Sequence, residues 1–281
     1  MMIRRLYTAY ALLALLNQHD PLPRQLRSLL HAQGRFPSRR TWERRLAALP
    51  PSLPGLIGYG GRQLVALVHP WATHGRAVAF DSTPLATGGG VWHQKQRAQG
   101  LTPHSSLDTE AGWSTSGWHG WWYGWELHRA VTVGAVWIPL AAALTVAPRG
   151  DNAVAPWLLM HLPGAVRYVL GDTPDHDPER RQQCHRRKCA LVATRRGPYP
   201  PCDGGAEVRQ IFHKLRSQAI EPFNGLFKNV FEWRMQMPVK GLQRSQLLAL
   251  GAVVVYQLAL LYQHERHLPL GKGIKPLLRA A

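Results

Sequence analysis

The feature that most limits what this chain can fold into is a change of period near residue 76. Up to about residue 70, apolar residues recur at helical spacing; from there on the chain runs in short apolar stretches bounded by turn residues. Arg76-Ala77-Val78-Ala79-Phe80 ends on Asp81. Further apolar stretches lie at about 123–133 and 135–147, and Gly134 between them suits a tight connection, so the two read as a hairpin joined to the first strand. Asp151-Asn152 can cap a helix reaching about His161, and Val166-Arg167-Tyr168-Val169-Leu170-Gly171 is a strand ending on Asp172. A basic helix at about 177–188, a short strand Ala190-Leu191-Val192-Ala193, and helix from about 213 with a break at Met237-Pro238 complete the order. No repeat of solenoid period is visible.

Composition decides which partners suit such a chain. Its 281 residues carry 34 Lys and Arg against 16 Asp and Glu, a formal net charge of +18. A field of that sign favours polyanions, and neutralising phosphates releases counterions whatever the base sequence. Nucleic acid is therefore the natural partner and a membrane surface the weaker competitor. Hydrophobic residues make up 45%, enough for a real core. Met1 to Arg5 and Leu6 to Leu16 imitate a secretion signal, but no small-residue cleavage site follows, so a buried first helix is expected. Leu247 to Tyr262, sixteen residues with Gln257 inside, is shorter than a bilayer span and reads as a core helix. The chain is expected to be cytoplasmic, and associated with the nucleoid when bound to DNA.

Three hairpin-type strands followed by helix, strand, helix, strand and helix predict an α/β architecture, an RNase H-like mixed sheet flanked by helices. Residues 1–72 would form a helical DNA-binding region, and residues 73–281 the catalytic domain with a C-terminal core helix. In the first region Ser38 caps a basic helix carrying Arg39, Arg40 and Arg44, preceded by Leu22–His31 and a turn at Gln33-Gly34. That is either a helix-turn-helix entering a DNA groove or a solvated amphipathic helix.

In the predicted fold the strands ending on Asp81 and Asp172 are neighbours, although 91 residues separate the two acids. Carboxylates suit hard divalent cations, and two such ions can flank a phosphodiester. Asp175 and Asp177 compete with Asp172 but follow Pro174 in a loop. Glu221 is the third candidate ligand. Lys228 stands seven residues after it and Lys214 seven before, close to two helical turns each. Pro222 disfavours helical geometry at Glu221, so a helix start or kink is expected there.

Phe80-Asp81-Ser82-Thr83-Pro84-Leu85, Tyr123-Gly124-Trp125-Glu126-Leu127-His128, Gly171-Asp172-Thr173, and Arg216 to Phe223 together with Lys228 resemble bacterial insertion-sequence transposases of the DDE superfamily. The resemblance covers about residues 35–265. One group of these enzymes has a Glu and a Lys seven residues apart, with an Arg four before the Glu and a Tyr three before that Arg. Here Ser217 stands in the Arg position with Arg216 beside it, and Lys214 stands where the Tyr would be. No room is left before Glu221 for the β-rich insertion of some relatives. The resemblance implies catalytic and metal-binding roles for Asp81, Asp172 and Glu221, with two Mg²⁺ or Mn²⁺ ions. It implies phosphate contacts by Arg216 and Lys228, and a homodimer synapsing two ends of double-stranded DNA. A DNA-binding protein derived from such an enzyme, or a structure-selective nuclease on the same fold, is the alternative.

Other features carry two readings each. His128 can reach the site from a neighbouring strand or simply close a strand. The tryptophans between Trp92 and Trp125, and Trp233-Arg234, can stack on unpaired bases or pack a loop onto the sheet. Cys184, His185, Cys189 and Cys202 lack the paired spacing of structural zinc sites. Arg180, Arg181, Arg186, Arg187, Lys188, Arg195 and Arg196 read as a phosphate-contacting face.

Overall fold

The computed structural model describes residues 6–31, 36–71, 76–116, 120–172, 177–193, 205–233 and 236–280. The turn at Gln33-Gly34 and residues Thr173, Asp175, Arg195, Arg196, Cys202 and Arg234 lie outside them.

The chain opens with helices α1 (Ala9–Leu16), α2 (Pro21–Leu29), α3 (Arg39–Ala48) and α4 (Leu53–Val68). Ser38 caps α3 as its side chain suggests, its hydroxyl accepting from the Thr41 amide at 3.3 Å. Contrary to the buried first helix expected, α1 buries only Ala9 and Leu16. In α4, a Cβ on Gly61 would lie 2.6 Å from the Pro139 carbonyl oxygen, so only glycine lets the helix approach the sheet this closely.

The sheet begins with β1 (Ala77–Ala86), followed by β2 (Gly90–Val91), α5 (Gln94–Ala98) and β3 (Leu107–Asp108). Then come β4 (Gly112–Ser116), β5 (Gly120–Thr132), β6 (Pro139–Val146), α6 (Asp151–His161), β7 (Tyr168–Gly171), α7 (Pro178–Arg186) and β8 (Ala190–Ala193). Helices α8 (Gly205–Phe231), α9 (Leu242–Glu265) and α10 (Ile274–Ala280) close the described chain. Six strands form one mixed sheet in the order β4-β5-β1-β7-β8, with β6 also paired to β5. The expected β5–β6 hairpin and its antiparallel junction with β1 are present. So is the parallel contact of β1 with β7, at the centre of the sheet.

Two strand and helix ends differ from the sequence reading. β1 does not stop at Asp81 but runs to Ala86. Val133 N donates to Ala77 O and Thr87 N to Tyr123 O, so the odd residues of β1 exchange hydrogen bonds with β5. Pro84, an even residue, turns its missing donor to the other side, where pairing with β7 has already ended at Ala79. And α8 is neither started nor ended at Pro222: it runs unbroken from Gly205, with the proline inside. Ile220, Phe223 and Phe227 are buried there, and that packing outweighs the local cost of the proline.

Both faces of the sheet are covered. Helices α8 and α9 pack on one, Phe223 meeting Tyr256 edge to face at 5.2 Å, while α6 covers the other. The 24-residue α9 is long and apolar enough to cross a membrane by length and composition, longer than the sixteen-residue stretch read from sequence. Here it packs on α4 and β6, and buried Gln257 donates to Ile57 O and Pro139 O at 2.8 Å each. Those two bonds satisfy its amide hydrogens against both neighbours.

Candidate functional site

Strand alternation sends Asp81 and Ser82 to opposite faces of the sheet, and each meets its own cluster. On the α8 face, Arg216 Nη2 donates to Asp81 Oδ1 at 2.9 Å and Arg216 Nε to Phe80 O at 3.3 Å. Asn224 Nδ2 donates to Asp81 Oδ2 at 2.9 Å. Arg129, the register partner of Asp81 on β5, donates to Asn224 Oδ1 and is fully buried beside the rings of Phe223 and Phe227, 5.0 and 5.1 Å away. Its Nε and Nη1 have no hydrogen-bond partner. Burial lowers Arg129 to about 9, against the pull of Asp81. Burial likewise raises Asp81 to about 6; Arg216 opposes the rise and Asp151 adds to it. A quarter of the Asp81 side chain (24%) is still open to solvent, so the carboxylate is reachable.

Asp172 follows the last residue of β7 and is exposed. The β1–β7 register pairs Ala79 with Leu170, and two residues beyond each stands an aspartate. The pairing itself ends there, so the two aspartates stand at matching positions just past the paired ends of neighbouring strands. Of its two rivals among the acids, Asp177 is the N-cap of α7, accepting from Glu179 N at 3.0 Å.

Glu221 is exposed in the middle of α8, three residues before Asn224, and Lys228 lies four residues after Asn224. The three form a stripe along the helix at the spacing of side-chain neighbours. Because the helix is continuous, Lys214 shares that side two turns earlier and is also exposed. Lys228 is half-buried; burial and then Arg129 lower it to about 8, with Asp81 opposing.

On the α6 face, the Ser82 hydroxyl lies 3.2 Å from both Glu126 Oε1 and Asp151 Oδ2. One hydroxyl hydrogen cannot serve both acceptors at once; burial lifts the Glu126 carboxyl to about 7. His128 Nδ1 bonds Asp151 Oδ1 at 2.7 Å and His128 Nε2 bonds Thr145 Oγ1 at 2.9 Å. Burial raises Asp151, but the hydrogen bond and charge of His128 more than offset it, leaving the carboxyl below its usual range. Asp151 is the first residue of α6, not its cap; Gly150 holds that position, and the carboxylate ties the helix to β5. His128 accordingly stands on the face away from Asp81.

The remaining basic and aromatic candidates are dispersed. Arg39, Arg40 and Arg44 are exposed on α3, with Arg39 paired to Glu43 at 2.7 Å. Arg186 is exposed, whereas Arg187 donates to Leu162 O at 2.8 Å and caps the end of α6. Trp233 is buried against Phe227 and Phe231. Of the tryptophan-rich segment, Trp113 packs on Tyr123 and Trp121, and Trp121 is largely exposed. Cys184 and Cys189 are buried together, Cys189 Sγ donating to Cys184 O.

Carboxylates on two strands and a helix are the donor chemistry of a hard divalent cation. Among the described residues, however, no three His, Cys, Asp or Glu side chains stand close enough to hold a metal ion. Both oxygens of Asp81 are engaged by α8, and Glu221 points into solvent.

No family model matches this chain, and no curated protein matches it either.

Sequence reading missed Asn224, Arg129, Glu126 and Asp151. Arg129 carried a signal, a charge directly before the largely apolar run Ala130 to Val133. Asn224 carried none, because its partner lies 143 residues away.

Proposed function

We propose that this chain is a DNA transposase of the DDE type on an RNase H-like core, cleaving DNA strands and joining them to a target. The observation that carries the reading is the pair Asp81 and Asp172 at equal positions beyond the β1–β7 pairing, with α8 bringing Arg216 and the Glu221–Asn224–Lys228 stripe over Asp81. The order of hairpin strands, helix, strand, helix, strand and helix supports the core type. The net charge of +18 supports double-stranded DNA as substrate, handled by a homodimer in the cytoplasm.

Asp81, Asp172 and Glu221 would hold Mg²⁺ or Mn²⁺, two ions in the full complement, which when bound lower the barrier to in-line attack on a phosphodiester. The chain's own residues do the rest. Arg216 and Asn224 fix the Asp81 carboxylate in one orientation. Lys228 offers its ammonium to a phosphate on the exposed side of α8. Glu221 and Asp172, both exposed, would complete the ligand set with Asp81.

One observation favours a second reading, a DNA-binding protein derived from such an enzyme: Asp81 is already satisfied by Arg216 and Asn224, and the acids are not gathered. Mg²⁺-dependent cleavage and strand transfer on DNA carrying the element's ends, for the native chain beside Asp172→Ala, tests both. Joined products from the native chain alone support the transposase. Cleavage without joining means a nuclease, and salt-sensitive binding with no cleavage by either protein means the binding relic.

A further inference from the structure

The parallel strands β1, β7 and β8 begin side by side at the end of the sheet away from Asp81, and a cleft of about 910 Å³ opens there. Arg76 precedes β1, Arg167 precedes β7, and Lys188 leads into β8. Arg181 and His185, four residues apart on α7, line it from the helix, and Tyr168 and Leu191 from the strands. Among the described residues no Asp or Glu lines this cleft. Backbone bonds hold the starts together: Arg167 N donates to Arg76 O at 2.8 Å, and Ala190 N to Arg167 O at 2.8 Å.

Lys188 has φ +56°, the left-handed region that ends a helix most cheaply with glycine. A lysine there keeps a charge at the mouth of the cleft in a backbone conformation that costs a side-chain-bearing residue more than glycine. Three strand starts span roughly 10 Å, which matches two or three phosphates of one strand rather than a single anion. Asp81 lies five residues along β1 from Arg76, about 16 Å away, so the cleft is separate from the candidate active site.

We propose that this cleft grips the phosphodiester backbone of a nucleic-acid strand outside the candidate active site. It does not rest on the chemistry assigned to Asp81. Free polyphosphates carry the same charged groups, so the test must separate the two sources.

The experiment is anisotropy of a labelled 30-base-pair duplex titrated at several salt concentrations with the native chain and the double variant Arg181→Gln/Lys188→Gly. The glycine relieves the backbone at position 188, so the double variant stays folded, as a thermal melt checks. Loss of two phosphate contacts flattens the log–log salt slope by about 1.8 and weakens low-salt binding at least tenfold. An unchanged slope in the folded double variant overturns the proposal. So does displacement of the duplex by micromolar pyrophosphate that the double variant abolishes, which would make the cleft a small-polyphosphate site. Failure of Asp81→Asn to affect strand cleavage would count against the transposase reading alone.

Discussion

Arg216 Nη2 lies 2.9 Å from Asp81 Oδ1, so a partly buried carboxylate at the middle of the sheet is paired with a buried cation delivered by a helix 135 residues further on. Removing one partner of such a pair costs more than the pair itself contributes, because the other charge is left in a poor solvent. Arg216→Met is expected to lower unfolding free energy by about 3 kcal/mol. Adding Asp81→Asn should recover part of that loss. Urea denaturation of the single and double variants measures it, and strictly additive losses would refute the coupling.

On the proposed reading, the same carboxylate would set an acid limit on cleavage. Asp81 is raised to about 6, chiefly by burial, and must be ionised to act as a ligand. Cleavage should fall about tenfold per unit as pH drops below 6. Arg216→Gln removes the cation that opposes the rise, so the acid limb should move to higher pH. A pH–rate profile that moves the other way would contradict this assignment.

Glu126 makes a stability prediction of defined sign. Its carboxyl is raised to about 7 in the folded chain against an ordinary value of 4.5, so between those values the native state binds more protons than the unfolded one. Stability therefore falls as pH rises through that window. Glu126→Gln removes the dependence: the melting temperature of the variant relative to the native chain should be several degrees higher at pH 8 than at pH 5.

Lys228 is lowered to about 8 by burial and by Arg129, so above that pH it offers less charge to a phosphate. Lys228→Arg should match the native chain in duplex affinity at pH 7 and exceed it severalfold at pH 9. Titration of DNA binding at the two pH values decides it.

The strands were legible because their apolar runs are bounded by turn residues, and the β1–β7 contact followed from their order. What local pattern could not reveal was where elements end. Asp81 looked like the end of a strand and Pro222 like the start or kink of a helix; in each case the element runs on for a reason set by distant chain. β7 stops early and frees the Pro84 side of β1, and the burial of Ile220 and Phe223 carries α8 on past Pro222. Pro222→Ala should accordingly stabilise the fold by roughly 1–3 kcal/mol, read as a shift in urea midpoint. The acids Asp81, Asp172 and Glu221 could be picked out by type and spacing. Asn224 and Arg129 could not, since what makes them matter is a contact across the core.

Arg216, Glu221, Asn224 and Lys228 all ride on the single unbroken rod of α8, and Phe223 on that rod is wedged against Tyr256 of α9. The four side chains therefore cannot be tuned one at a time by moving backbone. A small roll of α8 lifts or lowers all of them together over Asp81, and the setting of that roll is held by an aromatic contact in the hydrophobic interior. The candidate site has one lever, and its fulcrum lies out of reach of solvent.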